Sequence, residues 1–148
     1  MPASRQIVCP HCAGINRVPQ EKPVETARCG RCKTPLFSGK PAEVDAAMLD
    51  RQVKQGEVPV LVDVWAPWCG PCRMMGPAFE AAAAALEPEM RLVKLNSDAE
   101  PDMAARLGIR GIPTMILFAG GREVARVSGA MAAQQIVSWA RGKHAALA

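Results

Sequence analysis

The chain has 148 residues, of which 49% are hydrophobic and 22% are charged, and its formal net charge is +4. This length fits one domain, or one domain with a small appendage, and the composition favours a buried core over a disordered chain. No apolar run approaches about eighteen residues and no hydrophobic stretch precedes Cys9, so we expect neither a membrane span nor a secretory signal. We therefore expect a soluble cytoplasmic protein that has no membrane partner.

The positive charge is concentrated near the N-terminus. Residues 1–41 carry seven Lys and Arg and two Glu, a net charge of +5, whereas the rest of the chain carries eleven basic and twelve acidic side chains, a net charge of −1. A basic segment can bind nucleic acid, but Phe37 is the only aromatic side chain in this segment that could stack on a base. We therefore interpret the charge as a solvated face and do not expect a nucleic-acid partner.

Six cysteines form three Cys-x-x-Cys pairs. In the cytoplasm thiols are kept reduced, so these pairs indicate metal binding or catalysis rather than a disulfide scaffold. Sixteen residues separate the pair Cys9 and Cys12 from the pair Cys29 and Cys32, and this spacing is typical of a tetrahedral zinc site. We predict that these four cysteines hold one structural zinc ion, in a closed site that leaves no open position for catalysis.

The segment that carries these four cysteines resembles a small zinc ribbon. It has few apolar residues and many prolines, so a metal ion would have to replace part of a core. Gly14 and Gly30 are predicted to supply turn conformations that a side chain would obstruct. Two structural disulfides, or four free thiols, are the alternatives to a zinc site.

The first cysteine pair allows two other interpretations. Its residues Cys9-Pro10-His11-Cys12 resemble the active-site motif of the periplasmic disulfide-oxidant family, but no buried strand precedes Cys9 and no amphipathic helix follows Cys12. His11 could replace one cysteine as a zinc ligand. Because four thiolates are available, we interpret His11 as a solvated loop residue, and we expect no redox role for this pair.

We divide the chain into a zinc-ribbon-like domain at residues 1–37, a linker rich in breakers at residues 38–41, and a second domain at residues 42–148. The second domain alternates helix and strand patterns, which predicts an α/β sheet with one antiparallel hairpin. A short strand before Asp45 would fit the same pattern. The predicted helices are Asp45–Gln55, the segment between Cys69 and Pro88, Pro101–Leu107 and Met131–Arg141, and the predicted strands are Val58–Trp65, Arg91–Asn96, Thr114–Phe118 and Arg122–Val127.

The third cysteine pair, Cys69 and Cys72, follows the buried strand pattern Val58–Trp65 and opens a long helical pattern, which Pro77 is expected to kink. Backbone N–H groups and the helix dipole at a helix N-terminus lower the pKa of a thiol, so we predict that Cys69 is the nucleophile. Cys72, three positions later, is placed to resolve a mixed disulfide. This pair is therefore predicted to react rather than to bind metal.

Two stretches resemble the thioredoxin family: VLVDVWAPWCGPC at Val60–Cys72 and GIRGIPT at Gly108–Thr114. The resemblance covers residues 42 onward, and with the ribbon in front the whole chain resembles the zinc-bearing thioredoxin 2 subtype. It implies a thioredoxin fold, with a central mixed sheet flanked by helices, and the activity of a protein disulfide reductase. The implied partners are an NADPH-dependent thioredoxin reductase and disulfide-containing proteins, and a monomer without a bound organic cofactor is expected.

The resemblance also assigns roles to residues around the third cysteine pair. It places Asp63 in the buried strand as proton acceptor for Cys72, with Lys94 as its neighbour. The alternatives are a carboxylate in water at a strand edge and a lysine on an exposed strand. It also implies that the bond before Pro113 is cis and that the backbone of Ile112 contacts the substrate. The implied substrate-binding residues are Trp68, Gly70, Pro71, Gly111, Ile112, Pro113 and Gly129, and Trp65 is expected either to share their groove or to serve packing alone.

The ribbon allows two alternative functions from other classes. It could make the protein a zinc-dependent binding or chaperone module, with nucleic acid or unfolded protein as the partner. Its four thiolates could instead sense oxidants and release the metal, which would tune the reductase.

Overall fold

The computed structural model describes residues 4–147, which form a small N-terminal unit and a larger α/β unit. The N-terminal unit begins with an antiparallel hairpin of strands β1 (Ser4–Val8) and β2 (Ile15–Pro19). A short 3-10 helix at Val24–Thr26 leads to a second turn, which is closed by a bridge between Arg28 and Pro35. Each of the two turns carries one cysteine pair, as expected for a zinc ribbon.

The larger unit is built on a five-stranded sheet with the strand order β3-β5-β4-β6-β7. Strands β3 and β4 run parallel to β5, whereas β6 runs antiparallel to β4 and β7 runs antiparallel to β6. This arrangement confirms the predicted mixed sheet. The strands are β3 (Ala42–Val44), β4 (Val60–Trp65), β5 (Arg91–Asn96), β6 (Thr114–Ala119) and β7 (Arg122–Ser128).

Four helices cover the two faces of this sheet. They are α1 (Ala46–Gln55), α2 (Gly70–Leu86), α3 (Pro101–Arg106) and α4 (Ala133–Ala145). Helices α2 and α4 pack on the face that carries Leu61, and α1 and α3 pack on the face that carries Val62. Both faces of β4 are therefore buried, which explains why its sequence is apolar at almost every position. None of the helices in the described part of the chain is long and apolar enough to span a membrane.

Helices α1, α2 and α3 agree with their predicted ends to within one residue, whereas α4 ends at Ala145, four residues after the predicted Arg141. Asp45 caps α1, because its carboxylate accepts a hydrogen bond from the Met48 backbone N–H at 2.8 Å. Helix α2 continues through Pro77 as one helix and ends before Pro88. Helix α4 begins two residues later than predicted, after Ala132, whose backbone N–H donates to the Gln135 side chain at 2.9 Å.

In the two cysteine turns, the positive φ angles occur at other residues than predicted. Positive φ angles occur at Ala13 (63°) and Lys33 (67°), so the prediction that Gly14 and Gly30 supply these conformations is wrong. In each turn the residue with positive φ directly follows the second cysteine, and its N–H donates to the carbonyl of the first cysteine at 2.9 Å. Gly14 is needed for space instead, because a Cβ atom there would lie 3.2 Å from the sulfur of Cys12.

The N-terminal unit is fastened to the larger unit by Arg91, which is buried at the start of β5. Its guanidinium donates hydrogen bonds to the carbonyls of Leu36 (2.7 Å) and Val8 (3.3 Å) in the N-terminal unit. It also donates to the Gln52 side chain on α1 at 3.3 Å, and its central carbon lies 4.0 Å from the centroid of the Phe37 ring. No pattern in the sequence predicts this contact.

Further contacts join the two units at the same end of the sheet. Val58, which precedes β4, packs into the apolar cluster of the N-terminal unit. The backbone N–H of Glu57 donates to the Gln6 carbonyl at 2.8 Å, and the Gly39 N–H donates to the Glu87 carboxylate at 3.1 Å. These contacts lie where β4 and β5 begin, whereas the third cysteine pair lies where β4 ends.

Candidate active site and metal centre

The third cysteine pair lies at the junction between β4 and α2. Strand β4 ends at Trp65, and Cys69 caps α2, with its sulfur accepting a hydrogen bond from the Cys72 backbone N–H at 3.2 Å. Cys69 and Cys72 form a disulfide, and their Cα atoms are 5.2 Å apart. After reduction, the same N–H group and the positive end of the helix dipole would stabilise a thiolate on Cys69.

Asp63 lies two residues before the end of β4, on the face of the strand that α2 covers. Its neighbours on that face are Leu61, in the core under α2, and Trp65, which packs against the two cysteines. Asp63 is 0% exposed, and among the described residues neither of its carboxylate oxygens has a hydrogen-bond partner. Burial raises the pKa of Asp63 to about 7, Lys94 lowers it, and Glu43 raises it further. Asp63 is therefore a buried acid and not a carboxylate in water.

Lys94 is the direct neighbour of Asp63 on the adjacent strand. The register of the parallel strands β4 and β5 pairs these two residues. The Lys94 side chain is half-buried, and its Nζ atom lies 4.7 Å from the centroid of the Trp65 ring. Lys94 is therefore part of the structure beneath the cysteines and is not an isolated surface lysine.

The loop before β6 approaches the disulfide from the other side. The peptide bond between Ile112 and Pro113 is cis, as the family resemblance implied. The carbonyl oxygen of Ile112 lies 3.8 Å from the sulfur of Cys69. Gly129, whose φ angle is 102°, donates its N–H to the Pro113 carbonyl at 2.9 Å. This hydrogen bond holds the loop in place. The positive φ angle at Gly129 is a backbone conformation that favours glycine.

A groove of about 620 Å³ opens beside Cys69. One wall is Trp68, which is 69% exposed and whose indole N–H donates to the Asp98 carboxylate at 3.2 Å. Five of the predicted substrate-binding residues line this groove, namely Trp68, Gly70, Pro71, Gly111 and Ile112. The groove therefore brings together the helix start and the loop before β6.

Other predicted residues do not line this groove. Pro113, Gly129 and Trp65 are not among its lining residues, and the half-buried Trp65 packs against the two cysteines. The lining also includes residues that the sequence did not single out, from the end of β5, from α3 and from the loop after it. They are Ser97, Ala104, Ala105, Ile109 and Arg110, of which the last two lie within the GIRGIPT stretch.

The first two cysteine pairs come together at one point. The sulfur atoms of Cys9, Cys12, Cys29 and Cys32 all lie within 4.8 Å of one another, and none of the four cysteines forms a disulfide. The distance is 3.6 Å between the sulfurs of Cys9 and Cys32, and 3.6 Å between those of Cys12 and Cys29. Tetrahedral zinc with bonds of about 2.3 Å requires sulfurs about 3.8 Å apart, so this group fits a zinc ion.

Hydrogen bonds to the sulfurs strengthen this fit. The backbone N–H groups of His11, Gly14 and Arg31 donate to the sulfurs of Cys9, Cys12 and Cys29, each at 3.4 Å. Such donors stabilise thiolates, which are the form that binds zinc. The side chain of His11 is exposed and does not belong to the group, as predicted.

The pKa values of two of these thiols are shifted in opposite directions. Hydrogen bonds from the Cys32 backbone and the Asn16 side chain lower the pKa of Cys29 to about 6. The N–H of Gly14 lowers the pKa of Cys12, but burial and the neighbouring thiols outweigh this effect and raise it to about 11. Cys12 therefore keeps its proton at neutral pH unless a cation binds, and a bound zinc ion would favour its thiolate form.

Two family models match the chain. The family described as Thioredoxin matches residues 40–142, and the family described as Thioredoxin 2, N-terminal, a zinc ribbon, matches residues 8–34. The first match alone spans more than half of the chain. The second match contains all four cysteines of the proposed metal centre.

Curated relatives and solved structures agree with these matches. Thioredoxin C-3 of Corynebacterium nephridii is 38% identical over 133 residues, which are 90% of this chain and 91% of that protein. Thioredoxin 1 of Nostoc sp. is 46% identical over 90 residues, which are 61% of this chain and 84% of that protein. The structure of a chloroplastic thioredoxin z has a TM-score of 0.65 at 28% identity and covers 72% of this chain and 96% of its own. A mutant thioredoxin from Halobacterium salinarum NRC-1 has a TM-score of 0.65 at 30% identity, over 72% of this chain and 93% of its own.

The resemblance in the stretches around Cys69 and Pro113 is thus confirmed by comparisons that cover both parts of the chain. The chain belongs to the thioredoxin family, with a thioredoxin 2 type zinc ribbon before its thioredoxin domain, and it is a thiol-disulfide oxidoreductase with disulfide reductase activity.

Proposed function

We propose that Cys69 and Cys72 are the dithiol that reduces disulfide bonds in other proteins, with a mixed disulfide as the intermediate. The observation that supports this assignment most strongly is the position of their own disulfide. It caps the N-terminus of α2, borders a groove of about 620 Å³, and lies beside the Ile112 carbonyl. A disulfide in that position can be reached by an extended peptide.

The reaction proceeds in two exchange steps. The Cys69 thiolate attacks one sulfur of the substrate disulfide, forming a bond to it, and the substrate bond breaks with its electron pair on the second sulfur, which takes a proton. The Cys72 thiol then loses its proton and attacks the sulfur of Cys69. The Cys69–Cys72 bond forms, the mixed disulfide breaks, and the remaining substrate sulfur leaves and is protonated. Two electrons pass from the dithiol to the substrate.

Asp63 takes the proton from Cys72 in the second step. It lies on the face of β4 that α2 covers, it has no hydrogen-bond partner among the described residues, and burial raises its pKa to about 7. A carboxylate with this pKa can accept and release a proton near neutral pH. Lys94, its neighbour on β5, stabilises the charged form of Asp63. Burial has the larger effect on the pKa, so the carboxylate can still take up a proton near neutral pH.

The loop at Ile112 and the start of α2 bind the substrate. The backbone of Gly111 and Ile112 pairs with an extended substrate chain, because the Ile112 carbonyl lies beside the Cys69 sulfur and the Gly129 hydrogen bond holds this loop there. Trp68, Gly70 and Pro71 line the same groove, and the hydrogen bond between Gly129 and Pro113 fixes the loop that follows Ile112.

Cys9, Cys12, Cys29 and Cys32 would hold one structural zinc ion. The ion would cross-link the two turns of a unit whose own apolar cluster is small and borrows Val58 from the larger unit. We divide the chain into a ribbon at residues 1–37, a linker at 38–41 and a thioredoxin domain at 42–148, and the separate family matches at residues 8–34 and 40–142 support a division into two domains.

Family membership supports the finer assignments of partner and compartment. The partners are an NADPH-dependent thioredoxin reductase, which returns electrons to the disulfide, and proteins that contain reducible disulfides. We place the protein in the cytoplasm as a monomer. Nothing observed among the described residues favours a binding or chaperone module, or an oxidant sensor, over this function.

The test is reduction of insulin disulfides with NADPH and thioredoxin reductase. The rate at which thioredoxin reductase oxidises NADPH is expected to rise in proportion to the concentration of wild-type protein. Cys69→Ser is expected to abolish this oxidation, because the attacking thiolate is missing. Arg51→Ser, on the exposed face of α1, serves as a matched control and should react like wild type. Activity that persists in Cys69→Ser would contradict the assignment.

A further inference from the structure

Three charged side chains form a row across the sheet beneath the disulfide. The strand registers pair Glu43 on β3 with Lys94 on β5, and Lys94 with Asp63 on β4. Paired residues of neighbouring strands share a face, and the strands are about 4.8 Å apart. The row therefore lies on the face that α2 covers, with the ammonium in the middle and one carboxylate on each side.

Lys94 lies between the two carboxylates and forms a close ion pair with neither of them among the described residues. Among the described residues, the ion pairs shorter than 4.0 Å do not include Lys94. Its Nζ atom lies over the Trp65 ring instead, at 4.7 Å from the centroid. Lys94 nevertheless lowers the pKa of both Asp63 and Glu43, although burial has the larger effect on each and raises it. An ammonium in this position can move toward whichever carboxylate carries the charge.

The row also connects the buried site to solvent. Asp63 is fully buried, Lys94 is half-buried and Glu43 is exposed, and β3 is the edge strand of the sheet. The Trp65 indole N–H is close enough to lower the pKa of Glu43, but it forms no hydrogen bond of normal geometry within the described residues. Exposure thus increases in steps from the acid under the disulfide to the edge of the sheet.

We propose that Glu43 is a positioning residue for the proton chemistry of Asp63, acting through the Lys94 ammonium that the two carboxylates share. The negative charge of Glu43 draws Lys94 away from Asp63 and also repels an ionised Asp63. Both effects hold the proton more tightly on Asp63 and make its carboxylate a stronger base toward the Cys72 thiol. This proposal rests on the proton-acceptor role proposed above for Asp63.

The chemistry at Asp63 involves few other groups. Lys94 faces it from β5, Glu43 acts across that lysine from β3, and β6 presents the uncharged Met115 in register. Helix α2 presents Cys72, which is uncharged in the disulfide form. When the dithiol acts, the Cys72 proton moves to the Asp63 carboxylate while the Cys72 sulfur attacks the mixed disulfide. Glu43 touches none of the reacting atoms.

The direct test is the titration of the Asp63 carboxyl carbon by NMR in the oxidised full-length protein. Glu43→Gln is expected to lower the midpoint by about half a pH unit, because it removes a negative charge two strands away and leaves Lys94 to Asp63 alone. Glu43→Asp keeps the charge and should titrate like wild type. Glu80→Gln removes the same charge from the exposed side of α2 and should also leave the midpoint unchanged.

The rate of substrate release from reduced protein gives a second readout across the same pH range. Its pH profile should shift to lower pH in Glu43→Gln, and Asp63→Asn should remove the inflection. If the Asp63 inflection is present in wild type but neither the titration nor the profile moves in Glu43→Gln, the role of Glu43 is refuted while that of Asp63 stands. If Asp63→Asn leaves the wild-type profile unchanged, the proton-acceptor role fails, and the role of Glu43 fails with it.

Discussion

Asp63 places an ionisable group in the middle of the apolar face of β4 that α2 covers. Its carboxylate oxygens have no hydrogen-bond partner among the described residues, and burial raises its pKa to about 7 from an ordinary value of 3.8. A residue with this environment reduces the stability of the folded chain at neutral pH. The role proposed above would explain this cost, because the same burial suits Asp63 to accept a proton near neutral pH.

Replacing Asp63 should therefore raise the stability of the fold at neutral pH and at the same time slow disulfide reduction. Between about pH 4 and pH 7 the unfolded chain releases the Asp63 proton while the folded chain keeps it, so the wild-type free energy of unfolding falls as pH rises through this range. Asp63→Ala removes that loss. Relative to wild type, its free energy of unfolding should rise by about 2–4 kcal/mol between pH 4 and pH 8, while disulfide reduction slows.

Urea unfolding of wild type and Asp63→Ala at the two pH values measures this difference. Asp102→Ala, at an exposed position in the first turn of α3, serves as the control and should follow the pH dependence of wild type. The same pH dependence in Asp63→Ala and wild type would show that Asp63 is not a buried acid with a raised pKa.

Residues within one short motif were predictable from the sequence. The cysteine pair at α2 and the buried Asp63 belong to the stretch Val60–Cys72, and the cis bond before Pro113 belongs to the stretch Gly108–Thr114. Both stretches resemble the thioredoxin family, so their local structure could be expected from the sequence. The groove residues Ser97, Ala104 and Ala105 were not predictable, since small side chains carry no signal and only the strand order brings them to Cys69. The positive φ angles at Ala13 and Lys33 were not predicted for another reason. Each turn contains a glycine, Gly14 or Gly30, and glycine is the residue that normally adopts a positive φ angle.

At the scale of elements, the site depends on the junction between a strand buried on both faces and a helix that begins at its end. Strand β4 pairs with β5 on one side and β6 on the other, so the end of β4 is fixed from both sides. Helix α2 then starts at a cysteine cap and packs on the sheet along its length. The helix N-terminus is thereby held against the loop that carries the cis proline.

The start of β5 has a different task, which is to anchor the ribbon through Arg91. Burial lowers the pKa of Arg91 to about 10, and Glu87 and Cys9 oppose this effect. Its charge is nevertheless retained, and its donors satisfy carbonyls 55 and 83 residues away in the chain. The sequence shows only an arginine at the start of a strand, because its partners are backbone carbonyls that any residues could supply.

Arg91→Ala should lower the free energy of unfolding by about 2–3 kcal/mol, because it leaves the Leu36 carbonyl buried without a donor and leaves the Val8 carbonyl with only the Gln52 side-chain amide. Arg91→Lys should lower it less, since one ammonium retains the charge but not the planar set of donors. Chemical denaturation of both variants measures the loss. Arg51→Ala, which removes an exposed arginine from α1, should change stability by less than about 0.5 kcal/mol. An Arg91→Ala variant as stable as wild type would contradict the anchoring role.

At the scale of the whole molecule, the ribbon and the thioredoxin domain behave as one packed body with two separate chemistries. Val58 belongs to the apolar cluster of the ribbon, and Arg91 is covered by Leu36 and Phe37. The unit that carries the four-cysteine cluster packs where β4 begins, and the disulfide lies where β4 ends. This docking could not be predicted, although both units could, because the surfaces involved are defined only after each unit has folded.

Removal of zinc should therefore destabilise more than the ribbon. If the four cysteines lose their metal, the turns that hold Leu36 and Phe37 loosen, and the cover over Arg91 is lost. We expect one zinc ion per chain, one cooperative thermal transition in the zinc-loaded protein, and a lower transition temperature for the whole chain after chelation under reducing conditions. Calorimetry of the loaded, stripped and reloaded protein measures this effect. Unchanged unfolding of the thioredoxin domain in the stripped protein would show that the ribbon does not support it.

The central claim is that Cys69 attacks the substrate and Cys72 resolves the mixed disulfide, and covalent trapping tests it most directly. Cys72→Ser and Cys69→Ser, each in the full-length zinc-loaded protein, are mixed with a disulfide-containing peptide and the adducts are located by mass spectrometry. We expect Cys72→Ser to accumulate one peptide per chain on Cys69, because the resolving thiol is missing, and Cys69→Ser to accumulate none. Adducts on a ribbon cysteine or on Cys72, or no adduct in Cys72→Ser, would contradict the claim.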